Sequence, residues 1–386
     1  MTALLLIDGL TAPEDPPLGA YMSHLADLLA AGHPTGALNW QADLQPEEGG
    51  RWRAVFDVPE ASVGYLAALG CGLEPDPRRT WARLAFTHIK RKRDKLLFLS
   101  PHRTGQSADE CRGLANYLRP ELERLDWLLH LGPESHLFLS SELDVTAPVP
   151  SLARLEGASM ADFLPDEKEA KPLHEALMMA QLMVARAPVN RARSREGRLV
   201  LNAPWLWGIG PGVGDHSDSV ADTGPDESCC WSPEPLLAGL ARMNGMIPVL
   251  LPEEEPLDAI WSAMEARGDG ESGRDGSDRH LVHLISPALL GRHGMREERL
   301  TRLERIDAQL IAPWVDALVR RGQRLIIASS YALDRRGLGD PEAPCPWVHL
   351  GANPSLWQRM VGGAPSGQLG VGPSWSASAL RKQWMK

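Results

Sequence analysis

The sequence predicts an α/β fold, a mostly parallel sheet flanked by helices with an inserted α+β domain, on three observations. The apolar run Ala3 to Ile7 ends in Asp8-Gly9-Leu10 and reads as a buried strand delivering a carboxylate to the C-terminal edge of a sheet, where ligand sites of such folds lie. Short apolar runs return at Leu199 to Asn202, Ile247 to Leu251, Leu281 to Ile285 and Arg324 to Ser329, and helical stretches fill two of the gaps. Between these two regions the rhythm is mixed. The chain therefore divides into a core of residues 1–84 plus 198–386 and an inserted α+β domain of residues 85–197.

After the first strand, Ser23 to Gly32 carries apolar residues at helical spacing and stops on glycine. Within the insertion the pattern gives a strand at Lys95 to Ser100, a helix near Ala108 to Leu118, a strand at Ser135 to Ser140 and a long helix near Glu167 to Ala187. Met178, Met179 and Met183 on that helix read as core packing. In the returning half, helices are placed around Glu234 to Asn244 and Arg299 to Arg321. In the second of these, Leu300, Leu303, Ile306, Leu310, Trp314 and Leu318 recur at three to four residues, and Arg320-Arg321-Gly322 supplies a cationic last turn and a stop. Gly208, Gly210, Gly212 and Gly214 read as the turn leaving a strand, or as an amide cradle for an anion. The stretch from Ala266 to Arg279 is rich in Gly, Asp and Ser and reads as a loop; its spaced aspartates lack the ligand order of a calcium-binding hand.

At 386 residues and 43% hydrophobic, the chain can bury a substantial core as one large domain or two ordinary ones. No apolar stretch approaches the roughly 20 residues of a bilayer span, and the N-terminus lacks a secretory leader pattern, so a cytoplasmic protein with no membrane partner is expected. The five cysteines form no CxxC pair, and adjacent Cys229-Cys230 cannot bridge without strain; free buried thiols are expected. A formal charge of −10 disfavours nonspecific attraction to nucleic acid, while leaving room for a local basic patch such as Lys90-Arg91-Lys92-Arg93-Asp94-Lys95. Trp40, Trp52 and Trp375 serve equally as core anchors or ligand platforms.

Five segments taken in order resemble the archaeal-type cofactor-independent phosphoglycerate mutases of the alkaline phosphatase superfamily. They are Leu4 to Leu10 followed by Pro17-Leu18; Ala61-Ser62-Val63-Gly64-Tyr65 with Leu69-Gly70; Asn202-Ala203-Pro204-Trp205-Leu206-Trp207-Gly208-Ile209-Gly210; His283-Leu284-Ile285-Ser286-Pro287 running to Leu303-Glu304-Arg305-Ile306-Asp307; and Ala343-Pro344-Cys345-Pro346-Trp347. The resemblance implies an alkaline-phosphatase-like core. It also implies two divalent metals, manganese or zinc, held by aspartates and histidines at strand ends, which activate a serine or threonine to take a phosphoryl group.

Position by position, most of that machinery is absent from this sequence. Asp8 is the one metal ligand kept. The nucleophile position falls on Ala61, with Ser62 next to it, and the Asp-Glu-x-x-His stretch falls on Ala288 to Arg292, with His293 one residue late. The later Asp-His pair falls on Ser330-Tyr331, and the last histidine position on Asp340-Pro341-Glu342. A substrate-binding Arg, Cys, Asn run is replaced by Thr87-His88-Ile89. The expectation is a catalytically degenerate homologue acting as a binding, regulatory or scaffold protein, with no cofactor. It would keep a cleft for a phosphorylated small metabolite or a surface for a protein partner, with Arg292 and His293 as substrate-binding residues. The alternative is an active phosphoglycerate mutase or phosphatase with a rearranged site of Asp8, Ser62, Arg292 and His293 using manganese or zinc.

Overall fold

The computed structural model describes residues 2–7, 33–38, 61–92, 95–145, 149, 151–152, 171–212, 228–251, 260, 262, 279–284, 296–313, 324–329 and 345–350. In chain order the elements are β1 (Thr2–Ile7), β2 (His33–Leu38), α1 (Val63–Gly70), β3 (Thr80–Lys92), β4 (Lys95–Leu99), α2 (Pro101–Thr104) and α3 (Ala108–Glu123). There follow β5 (Trp127–Leu131), β6 (Leu137–Ser141), α4 (Lys171–Arg186), α5 (Pro188–Arg195), β7 (Ala203–Pro211), β8 (Cys229–Ser232) and α6 (Pro235–Met243). The chain closes with β9 (Ile247–Leu250), β10 (Arg279–Leu284), α7 (Arg296–Ile306), β11 (Arg324–Ser329) and β12 (Cys345–Leu350). Two compact units contain them, one of Met1–Asp57, Ala221–Glu234 and Ala241–Lys386, the other of Val58–Val220 and Pro235–Leu240.

In the first unit a seven-stranded sheet runs β2-β12-β11-β1-β10-β8-β9. The apolar run of β1 lies at its centre because both its edges are paired, to β10 and β11 in parallel register. Parallel ladders continue through β8 and β9, and β12 and β2 add antiparallel ones at the other side. The second unit holds a five-stranded sheet in which β3 pairs with β4, β6 and β7, and β6 with β5, all antiparallel. The α/β class holds. Over both described sheets antiparallel ladders outnumber parallel ones by six to four, whereas within the larger sheet four of the six ladders are parallel. The expected 84/85 junction falls inside β3, and 197/198 falls inside the second unit. The 85–197 insertion stays a proposal about how the chain is organised.

Period-two alternation decides what each face of the second sheet meets. Trp127 and Leu129 of β5, Leu137 and Leu139 of β6, and Ala82 and Leu84 of β3 join Leu114, Leu118 and Leu122 of α3 and Ala176, Ala180 and Val184 of α4 in one apolar cluster. Ser107 starts α3 with a capping box: its hydroxyl accepts from the Glu110 amide and the Glu110 carboxylate accepts from its own amide. On the other face, α1 crosses β3 and β7 closely enough that a Cβ on Gly64 would lie 2.7 Å from Ala82 Cα. Nearly every residue of α1 is buried, because Gly70 and Gly239 let the Pro235–Leu240 part of α6 press on its other side.

Several expectations need correction. The strand placed at Leu199 to Asn202 is instead β7, which starts at Ala203, and Gly208 and Gly210 lie within it rather than in a turn. Met178 is 65% exposed, not core. β3 has no counterpart in the sequence reading: its cationic second half has no apolar alternation, and backbone pairing with β4 rather than burial keeps it extended. Cys71, Cys111, Cys229 and Cys230 are buried thiols outside any disulfide, as expected, and burial pushes Cys111 up to about 11. The Ser23 to Gly32 helix, the loop of residues 266–279, Trp40, Trp52 and Trp375 lie outside the described residues.

Candidate functional site

Ser62 is the one predicted site residue that the described residues include. Its extended backbone (φ −70, ψ 150) makes it the N-cap of α1, and its Oγ accepts from the Tyr65 amide at 3.1 Å. Its own amide donates to the Pro211 carbonyl at 2.9 Å, tying the start of α1 to the end of β7. Glycines make that seat. Gly208 has φ +64, and a Cβ there would stand 2.8 Å from Val63 Cβ; at Gly212 it would stand 2.5 Å from Pro77 Cα. Ala61 and Ser62 are half-buried.

Around this corner the polar groups are closed on one another. Arg78 grips Asp76 with Nε and Nη2, each at 3.1 Å, and this grip is the main reason the Asp76 carboxyl sits below its ordinary range. Burial, then the Asp76 charge, raises the Tyr65 phenol. Arg79 donates through Nε to Ser140 Oγ at 3.2 Å and through Nη1 to Glu142 at 2.9 Å. Ser140 Oγ thus accepts from Arg79 and also lies within hydrogen-bond distance of His130 Nε2, 2.9 Å away. Burial first, then the charges of Arg79 and Arg119, hold His130 below its usual range. Ser140 is fully buried, so this Ser-His contact orders the sheet and is closed to substrate.

Residues of the other described motif segments turn out to be structural pins. His88 Nδ1 contacts the Val200 carbonyl at 2.7 Å, and Asn202 takes both polar groups of the Ile89 backbone, accepting at 2.7 Å and donating at 3.1 Å. Trp207 lies under the Arg83 guanidinium, 4.9 Å from ring centre to carbon. The group that sequence reading missed is Arg193. It is fully buried at the junction of α5 and α3, donating to Glu110, Thr104 and Leu199, and nothing in its Arg-Ala-Arg-Ser-Arg context marks it from its exposed neighbours.

Asp8, Ala288, Arg292, His293, Ser330, Tyr331 and Asp340 lie outside the described residues. Their points of departure are described. Ile7 pairs with Leu284 on one side and Ser329 on the other, so the segments leading to Asp8, to 288–293 and to Ser330 leave one edge of the larger sheet. Among the described residues, no three His, Cys, Asp or Glu side chains group as a metal site would require.

Comparison with known proteins gives this edge a context. No protein-family model matches the chain. Over 206 residues it is 24% identical to a protein of Geobacter sulfurreducens named probable 2,3-bisphosphoglycerate-independent phosphoglycerate mutase, spanning 50% of this chain and 48% of that one. Over 220 residues it is 23% identical to the 2,3-bisphosphoglycerate-independent phosphoglycerate mutase of Methanosarcina barkeri, spanning 54% and 52%. The chain thus spans about half the length of the curated relatives it matches. The solved structure of the PH0037 protein from Pyrococcus horikoshii superposes with a TM-score of 0.64 at 16% identity, over 100% of this chain and 96% of that one. The chain shares that protein's fold and is a distant relative of proteins named 2,3-bisphosphoglycerate-independent phosphoglycerate mutase.

Proposed function

We propose that this chain is a catalytically degenerate relative of the phosphoglycerate mutases, a cytoplasmic binding or scaffold protein that keeps a cleft for a phosphorylated small metabolite. The observation that carries this reading is at the start of α1. The nucleophile position holds the methyl group of Ala61, and the neighbouring hydroxyl, Ser62, has its oxygen occupied as a helix cap at 3.1 Å from the Tyr65 amide. The donor set expected at the strand ends does not fit two divalent ions either. In sequence, Asp8 is the one ligand kept, the last histidine position falls on Asp340-Pro341-Glu342, and Ala288, Arg292, Ser330 and Tyr331 offer a methyl, a guanidinium, a hydroxyl and a phenol where several convergent oxygens or imidazoles are needed. In this reading Arg292 supplies a fixed positive charge to a bound phosphate, with His293 beside it.

The rival reading, an active mutase or phosphatase using Asp8, Ser62, Arg292 and His293 with manganese or zinc, is favoured by the parallel register from which the segments leading to Asp8 and to Arg292 and His293 depart at one sheet edge. The two part on one experiment. Metal-stripped protein, reloaded with manganese or zinc, is assayed for turnover of 3-phosphoglycerate and of an aryl phosphate while bound metal is counted by mass spectrometry. No bound metal and no turnover from folded protein is the expected result. Stoichiometric metal, with turnover lost in both Asp8→Ala and Ser62→Ala, would establish the enzyme instead.

A further inference from the structure

β3 outruns its own sheet. β6 pairs with it from Thr80 to Leu84 and β7 from Thr80 to Thr87, but from His88 to Lys92 its described partner is β4 alone. The result is a two-stranded ribbon whose base is pinned by the His88 contact to Val200, the Asn202 clasp on Ile89 and the edge-on packing of Phe98 against Trp205, 5.7 Å between centroids. Beyond that base lie exposed Lys90 and Arg91, and Lys92 stands directly opposite Lys95 in the ladder.

The same base draws in a second basic segment. Val200 follows closely on Arg191, Arg195 and Arg198. Buried Arg193 and paired Arg198 are committed to Glu110 and to the carbonyls of Thr104, Gly105 and Leu199, whereas Arg191 and Arg195 are exposed one turn apart on α5. The segment that carries Arg191 and Arg195, roughly a hundred residues on in sequence, thus leads directly into the residues pinned at the base of the ribbon, in a chain whose formal charge is −10.

We propose that this ribbon, with Arg191 and Arg195, is a docking surface for the phosphate backbone of duplex nucleic acid. A two-stranded ribbon suits a major groove about 12 Å wide, and lysine and arginine contacts to phosphate fix position without reading sequence. The aromatic residue among the ribbon's described residues, Phe98, is fully buried, which leaves no platform there for stacking the bases of a single strand. Leu96, 41% exposed, offers too little apolar area to seat the ribbon in a lipid surface. This surface stands apart from the phosphometabolite reading and does not depend on it.

The test is fluorescence anisotropy of a labelled duplex of about 20 base pairs with the full chain, titrated in potassium chloride from roughly 50 to 300 mM. Expected is micromolar binding at the low end, indifferent to sequence, with a log-log salt slope of about −3 to −4. Lys90→Glu with Arg91→Glu should weaken binding at least ~10-fold and flatten the slope by about 2, and Arg191→Glu with Arg195→Glu should act in the same direction. Arg112→Glu on α3 with Arg124→Glu at its C-cap should leave it unchanged, and matching urea midpoints would show all variants folded. Absence of binding at low salt, or equal binding by every variant, would overturn the proposal. So would tighter binding of a single strand or of phosphatidylserine vesicles with the same dependence on Lys90 and Arg91.

Discussion

Ser62 shows how one residue separates two accounts of this protein. As an N-cap its hydroxyl satisfies one helix amide, so Ser62→Ala should cost about 1 kcal/mol of stability and Ser62→Asp should retain most of it, as read by urea unfolding. A nucleophile would show a different pattern in activity, with both variants dead. His130 makes a second claim at this scale. Its proton affinity is lower folded than unfolded, so below the unfolded value of about 6.5 the unfolded chain binds more protons and stability falls as pH drops. Urea midpoints measured from pH 7.5 down to about 5.5 should decline, and His130→Gln should flatten that decline. An unchanged slope in the variant would assign the pH dependence to another group. Ser62 could be read from sequence as a site candidate because of its motif. Its role as a cap could not, because the acceptor geometry depends on β7, a strand nearly 150 positions away.

At the scale of elements, apolar periodicity carried the reading where burial is regular. β4, α3, α4, α6, β9, β10 and β11 fall within a few residues of where the sequence places them. It failed where pairing rather than burial holds the chain extended, as along the cationic half of β3, and where every residue is apolar, as in α1, whose pattern has no solvent face to set a period. The glycine-rich end of β7 was read as a turn because its glycines serve neighbours rather than bends: they clear room for Val63, Ser62 and Pro77. Close approach between α1 and the Pro235–Leu240 segment has a direct test. A methyl group at Gly239 would collide with the Leu66 carbonyl, backbone that cannot swing aside, so Gly239→Ala should lower the unfolding free energy by about 1–3 kcal/mol or more. A neutral effect would mean the two helices have room to part.

For the whole molecule, the sequence correctly gave the α/β class and a relation to proteins named phosphoglycerate mutase, and the comparisons extend that relation over about half the chain. Among the described residues no helix is long and apolar enough to cross a membrane. β3 carries a cost in time. On the edge it shares with β7, Thr87 and Ala203 meet across 116 positions of sequence. A ribosome adding about 5–20 residues per second leaves that edge open for about 6 to 23 s during synthesis. Through that interval Trp81, Leu84 and Phe86 sit on a strand able to accept any passing neighbour. Stalled nascent chains with residue 202 emerged should therefore be cut by protease within β3 and engage chaperones, and those with residue 212 emerged should resist. The hazard this protein presents to a cell would then lie in the order in which its strands are made.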